Sequence, residues 1–127
     1  MEGYSVKIRE TSKELTPKER VSIKDTSNAV SIDEVTAAEG KMIINYSYHV
    51  ILDIHNEKSD NKDYVKTIVV DKDGNKFVTG SESFRTALVE IVEEMIDAGC
   101  EDDITIEVYR KDSKNYKGKQ FITCSIV

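Results

Sequence analysis

The sequence predicts an α+β fold, mainly β with one long α-helix, and three observations predict it. Apolar and polar side chains alternate with a period of two over most of the chain from Met42 onward. That alternation breaks once, where Phe84, Leu88, Ile91 and Met95 recur at the spacing of a single helix face. It then resumes at Ile104 and continues through Ile126.

Taken in order, the elements divide into a weakly patterned segment, 1–41, and a strongly patterned one, 42–127. In the first, Tyr4, Val6 and Ile8 alternate with Ser5, Lys7 and Arg9, as in a short strand. Thr16 to Glu19 has the form of a capping box with Pro17 at the first helical position. Ser31 to Glu34 repeats the capping signal, and Gly40 closes that second short helix. Both helices have few large apolar residues, so 1–41 is expected to be an N-terminal extension packed on the larger domain.

In 42–127, Ile44, Val50, Leu52 and Ile54 share one strand face, with Tyr46 and Tyr48 among them as core, and Asn45, Ser47, His49 and Asp53 fall on the other. The polar run Asn56–Asp63 is a loop, Tyr64–Val70 a second strand, and Asp73-Gly74 a hairpin turn into a third strand, Lys76–Thr79. Ser81 or Ser83 caps the helix that follows, and Gly99 ends it. Ile104, Ile106 and Val108 mark a fourth strand; Ile122, Cys124 and Ile126 mark a fifth.

Three strands, a helix and two strands is the element order of an OB-fold, a five-stranded and partly open barrel whose second and third strands, with the loops between strands one–two and four–five, hold oligonucleotides. Here those loops are Asn56–Asp63 and Lys111–Lys119. The second carries Lys111, Lys114, Lys117 and Lys119 around Tyr116 and Gly118. Single strands are bound by cations along the phosphates and by aromatic faces that stack on bases. Lys66, Lys76 and Arg110 add cations; Tyr64, Phe77, Tyr109 and Phe121 add rings. Tyr109 and Phe121 lie opposite the apolar parity of their strands, so core packing does not explain them.

Charge is divided along the chain. The net charge of −6 hides eight acids against one base within 81–103, and five bases against two acids within 104–127. A basic loop therefore belongs to an acidic chain, and a polyanion responds to the patch that faces it rather than to the total. No apolar run is long enough to span a bilayer, and MEGYSVKIRE lacks the apolar stretch of an export signal; a cytoplasmic location is expected. Cys100 and Cys124, without CxxC spacing, read as free thiols. His49, Asp53 and His55 share a strand parity but lack further ligands at metal-binding spacing. The Asp71–Asn75 run has its glycine too early for a calcium loop and reads as the hairpin. No nucleophile–base constellation is present, so neither an enzyme, a cofactor nor a small-molecule substrate is expected.

The segments NEKSDNKDY (56–64), DGNKFVTGSESF (73–84) and SKNYKGKQFITCSIV (113–127) resemble small bacteriophage single-stranded DNA-binding proteins. The resemblance covers roughly 42–127, with weaker likeness through Leu15–Glu34. It implies an OB-like domain, sequence-independent coating of single-stranded DNA in phage replication or recombination within the bacterial host cytoplasm, and no catalysis. The chain departs from better-known bacterial single-strand binders in having no Trp and no Gly-rich linker with an acidic tail. The extension 1–41 is an addition to the minimal barrel, available for self-association into a homo-oligomer or for covering an edge strand. A different class competes: a small phage interaction module whose acidic helix, Glu82–Asp103, imitates a strip of phosphates and inhibits a host defence protein.

Overall fold

The computed structural model describes residues 3–114 and 118–127. The chain is mixed α+β and mostly strand, with elements β1 (Tyr4–Thr11), α1 (Pro17–Lys24), β2 (Val30–Ser31), α2 (Ile32–Glu39), β3 (Lys41–Asn56), β4 (Asp63–Asp71), β5 (Lys76–Thr79), α3 (Glu82–Asp97), β6 (Thr105–Asp112) and β7 (Gln120–Ile126). Two compact units interleave along the sequence. One is Met1–Val30 with Tyr48–Gly80, the other Ser31–Ser47 with Ser81–Val127. The 16-residue strand β3 gives its second half to the first unit and its first half to the second.

In the first unit, β1 runs antiparallel to the end of β3, from Tyr4 opposite Asn56 to Thr11 opposite Val50, with a bulge at Arg9 where the register shifts. β4 neighbours β3 on its other side, and β4 and β5 form a hairpin with Val69 opposite Phe77. The Asp71 carboxylate holds the hairpin turn by accepting from the backbone N–H groups of Asp73 and Asn75 at 3.0 and 2.8 Å and from the Asn75 amide at 3.0 Å. The run that superficially resembles a calcium loop is thus an Asx-closed turn. Helix α1 begins with the expected capping box: Thr16 Oγ1 accepts from Glu19 N–H at 3.2 Å, and Glu19 accepts from Thr16 N–H at 3.0 Å. Its one buried residue, Ile23, joins Leu15, Val50, Leu52, Ile54, Ile68 and Val70 in a single apolar cluster.

In the second unit, the first half of β3 pairs with β6 and β6 pairs with β7, all antiparallel. Ile44, Ile106, Val108, Ile122 and Cys124 are buried on one face of this sheet, and α3 packs against β7. Ser81 is the N-cap of α3, accepting from Phe84 N–H at 3.2 Å, while Ser83 instead donates to the Ile122 carbonyl at 2.7 Å. Ser31 caps α2, and Gly40 ends it at φ +83°, a left-handed conformation that glycine adopts without strain. Cys100 is an exposed free thiol and Cys124 a buried one, whose pKa burial pushes up to about 12.

Two details differ from the sequence expectation. The buried stripe of α3 is Phe84, Leu88 and Val92, with Ile91 and Met95 only half-buried. An i, i+4, i+8 row lies nearer the sheet than the i+7 and i+11 positions. The second concerns β3, expected to be half-buried with His49 on its polar side. Over His49–Leu52 both faces are buried, and the His49 side chain is enclosed. Alternation in sequence cannot register the burial of the second face when the enclosed residue is itself polar. Tyr46 is core as expected, whereas Tyr48 is half-buried with the Lys13 ammonium 4.2 Å from its ring centroid.

Two outcomes follow from this packing. Truncating Leu88 to Ala is expected to cost about 2–5 kcal/mol in urea unfolding, because a fully buried side chain leaves a cavity. Burial of His49 disfavours its cation and lowers its pKa to about 4. The unfolded chain therefore takes up a proton near pH 6.5 that the folded chain refuses until about pH 4. Stability should fall by about 3 kcal/mol as pH drops through that window and level off below it. Thermal melts of the parent and of His49→Gln should differ in this slope; equal slopes would rule the assignment out.

Candidate nucleic-acid interface

In the second unit, strand alternation sends the apolar residues toward α3 and leaves a second face composed of the other parity. That face carries Lys41, Ile43 and Asn45 from β3, Thr105, Glu107, Tyr109 and Lys111 from β6, and Phe121, Thr123 and Ser125 from β7. The strand register defines its rows. Lys41 stands opposite Tyr109, which stands opposite Thr123; Ile43, Glu107 and Ser125 form the next row; Lys111 stands opposite Phe121. Tyr109 and Phe121 are thus diagonal neighbours on adjacent strands, a relation that separates residues by about 7–8 Å and lets aromatic side chains reach one another.

None of these side chains is buried: Tyr109 and Phe121 are half-exposed, Lys41 and Lys111 are exposed, and Ile43 keeps 52% of its surface in contact with solvent. The Tyr109 hydroxyl lies 2.9 Å from Ser125 Oγ, which orients the ring across the sheet. Among the described residues Lys41 and Lys111 have no acidic partner. Two rings and an exposed aliphatic side chain bracketed by these ammonium groups form a surface able to stack on planar groups and attract negative charge. Glu107 is the one acid on it.

The loop from β6 to β7 is closed by the Ser113 N–H to Lys119 carbonyl bond of 2.9 Å, with Lys114, Gly118 and Lys119 exposed. Lys114 and Lys119 sit at the end of the hairpin that bears Lys111 and Phe121. Tyr116 and Lys117 lie outside the described residues.

The remaining sequence-derived candidates separate from this group. The Lys76 ammonium donates to the carbonyls of Ser22 and Asp25 at 2.9 and 3.0 Å, at the C-terminal end of α1 where a cation complements the helix dipole. Arg110 has the opposite strand parity from Tyr109; its Nε donates to Thr36 Oγ1 at 3.1 Å and an Nη to the Asp33 carbonyl at 2.8 Å, tying β6 to α2. Both cations serve the fold. Tyr64, Lys66 and Phe77 belong to the first unit. Tyr64 and Phe77 are half-buried there, with Tyr64 packed on the apolar cluster and the Lys66 ammonium 5.9 Å from its ring centroid.

Sequence reasoning missed Lys41 and Ile43. The signal was present, since both alternate with Met42 and Ile44, but placing a boundary at 41/42 hid Lys41 and an isoleucine in a strand reads as core. It also missed an open-sided groove of about 470 Å³ in the first unit, lined by Ser5, Lys7, Arg9, Asp53, His55 and Tyr64 among others. In that groove Arg9 makes a two-pronged ion pair with Asp53. The side chains of Asp53 and His55 are thus occupied by protein partners, and among the described residues no group of three His, Cys, Asp or Glu is placed to hold a metal ion. Among the described residues no helix is long and apolar enough to cross a membrane.

The structural role of Lys76 has a measurable consequence. Lys76→Met is expected to lower unfolding stability by about 1 kcal/mol, through loss of its bonds to the α1 carbonyls. Lys111→Met, with no bond to lose among the described residues, should leave stability unchanged. Urea titrations of the two variants side by side distinguish a committed cation from a free one. Comparisons of the chain with protein-family models, with curated proteins and with solved structures find no match.

Proposed function

We propose that this chain is a non-catalytic, sequence-independent single-stranded DNA-binding protein with an OB-like architecture, acting in phage DNA replication or recombination. The observation that carries the reading is the face of β3, β6 and β7: Tyr109 and Phe121 are diagonal neighbours with Lys41 and Lys111 beside them, and among the described residues neither cation has an acidic partner. The connectivity supports it. β3 is long and pairs with β4 and with β6, β5 follows β4 as a hairpin, α3 lies between β5 and β6, and β6 pairs with β7. Those pairings and that helix position accord with an OB-fold. The resemblance of 56–64, 73–84 and 113–127 to phage single-strand binders points the same way.

In this reading, Tyr109 and Phe121 stack on two bases, Lys41, Lys111, Lys114 and Lys119 neutralise phosphates, and Ile43 covers sugar or base edges. Affinity then depends on salt through counterion release. Lys76 and Arg110 contribute to the fold that presents the face rather than to the contact itself.

One observation favours the second reading, an interaction module acting through its acidic helix. Glu90, Glu93, Glu94 and Asp97 of α3 have no cationic partner among the described residues, so a strip of negative charge is free to meet a basic groove. Replacing Glu90, Glu93 and Glu94 with Lys should abolish such mimicry and leave single-strand binding equal or tighter.

The direct test is fluorescence anisotropy with a labelled oligothymidine of about 30 nucleotides and its duplex, at two salt concentrations. Salt-sensitive binding to the single strand with little to the duplex is expected. Tyr109→Ala with Phe121→Ala should weaken it by about 1–3 kcal/mol per stacked base. Lys111→Ala should reduce the slope of log affinity against log salt by about 1. Undiminished binding by the Tyr109/Phe121 variant would remove this face from consideration; no binding at low salt would overturn the function.

A further inference from the structure

The connection between β3 and β4, residues 57–62, is gathered around one imidazole. His55 Nδ1 lies 2.7 Å from Asp63 Oδ1, and His55 Nε2 lies 2.7 Å from Glu57 Oε1. Glu57 is held from a second side by the Lys62 ammonium at 3.3 Å. The backbone converges on the same place, with Glu57 N–H donating to the Gly3 carbonyl and Asn56 N–H to the Lys62 carbonyl, both at 2.7 Å. The approach to Gly3 is close enough that a Cβ there would meet Glu57 Cγ at 2.8 Å, at a backbone φ of +78° that side chains disfavour.

An imidazole can donate through both nitrogens only as the cation. Neutral His55 would turn a lone pair toward one of the two carboxylates and lose that contact. We propose that His55 is a proton-operated clasp, whose imidazolium ties 57–62 to the start of β4 and whose neutral form releases that connection. The charged groups facing it are Asp63 from β4, Glu57 and Lys62 from the connection, Asp53 on its own strand, and Lys7 and Arg9 from β1. Arg9 and Asp53 are paired with each other, and Lys62 with Glu57, so Asp63 and Glu57 act most directly on the ring. Its hydrogen bonds to Asp63 and then to Glu57 raise the His55 pKa, and the same bond holds Glu57 below the usual carboxylate range.

The sign follows from linkage. A histidine with a raised pKa in the folded chain stabilises fully below its unfolded value, about 6.5, and the stabilisation is lost as pH rises through the folded value. His49 acts in the adjoining window on the acid side. The two contributions therefore meet near pH 6.5, and the base-side loss is confined to one loop because its groups are exposed.

The experiment is an NMR titration of the His55 ring, with hydrogen-exchange protection of residues 57–62 measured across the same range in the parent protein. A His55 midpoint above about 6.5 is expected, with protection of 57–62 falling several-fold as pH crosses it. Asp63→Asn and Glu57→Gln should each lower the midpoint. His55→Gln should give low protection that no longer responds to pH, and Gly3→Ala, which crowds Glu57, should lower protection at every pH. A midpoint at or below about 6.5 in the parent, or protection that stays constant through the midpoint, would overturn the proposal without reference to any variant. The readouts contain no nucleic acid, so this inference and the proposed function stand or fall separately.

Discussion

Every other feature hangs on the backbone of β3. Sixteen residues run without a break, and their hydrogen bonds serve β6 in the first half and β1 in the second, with β4 alongside. A strand used this way must satisfy a core at both ends and on both faces, which is why His49–Leu52 are buried in succession. That demand explains the enclosed imidazole of His49, while near Lys41 one face of the strand stays open and carries polar residues. A proline or a register slip in this strand would damage both units together, since a one-residue shift exchanges the two faces.

Cations in this molecule sort by whether the fold already uses them. Lys76 completes the carbonyl end of α1, Arg110 fastens β6 to α2, and Arg9 holds Asp53. Each replaces hydration with fixed oxygen partners and gives up capacity for a mobile anion. Lys41, Lys111, Lys114 and Lys119 make no such bond among the described residues, and they cluster on or beside the sheet face that bears Tyr109 and Phe121. The acidic side of α3 lies on the other side of the same sheet. Within this unit, opposite charges are therefore separated by the thickness of a helix on a sheet, which lets a net-negative chain present a locally positive surface. The proposed function depends on that separation more than on any single residue.

The two histidines illustrate how position alone assigns opposite behaviour to one side-chain type. Enclosed His49 loses water and resists protonation, whereas exposed His55 gains two carboxylates and favours it. Neither effect requires a catalytic role.

The sequence by itself determined the element types, because alternation, helical spacing and capping residues are local signals. The Thr16 capping box, the Gly40 stop, the Asp73-Gly74 turn and the change of period at Ser81–Phe84 all act within a few residues, and all are present in the structure. It also marked Tyr109 and Phe121 as rings that the core does not explain. Only the tertiary structure decided which of Ser81 and Ser83 caps α3 and that Val92 joins its buried stripe. It alone decided that Lys76 and Arg110 are occupied, and that Lys41 and Ile43 extend the aromatic face. These are questions of which distant partner reaches a side chain first. Lys76 finds carbonyls more than fifty positions away and Arg110 more than seventy, and no periodicity in a sequence encodes a meeting across that separation.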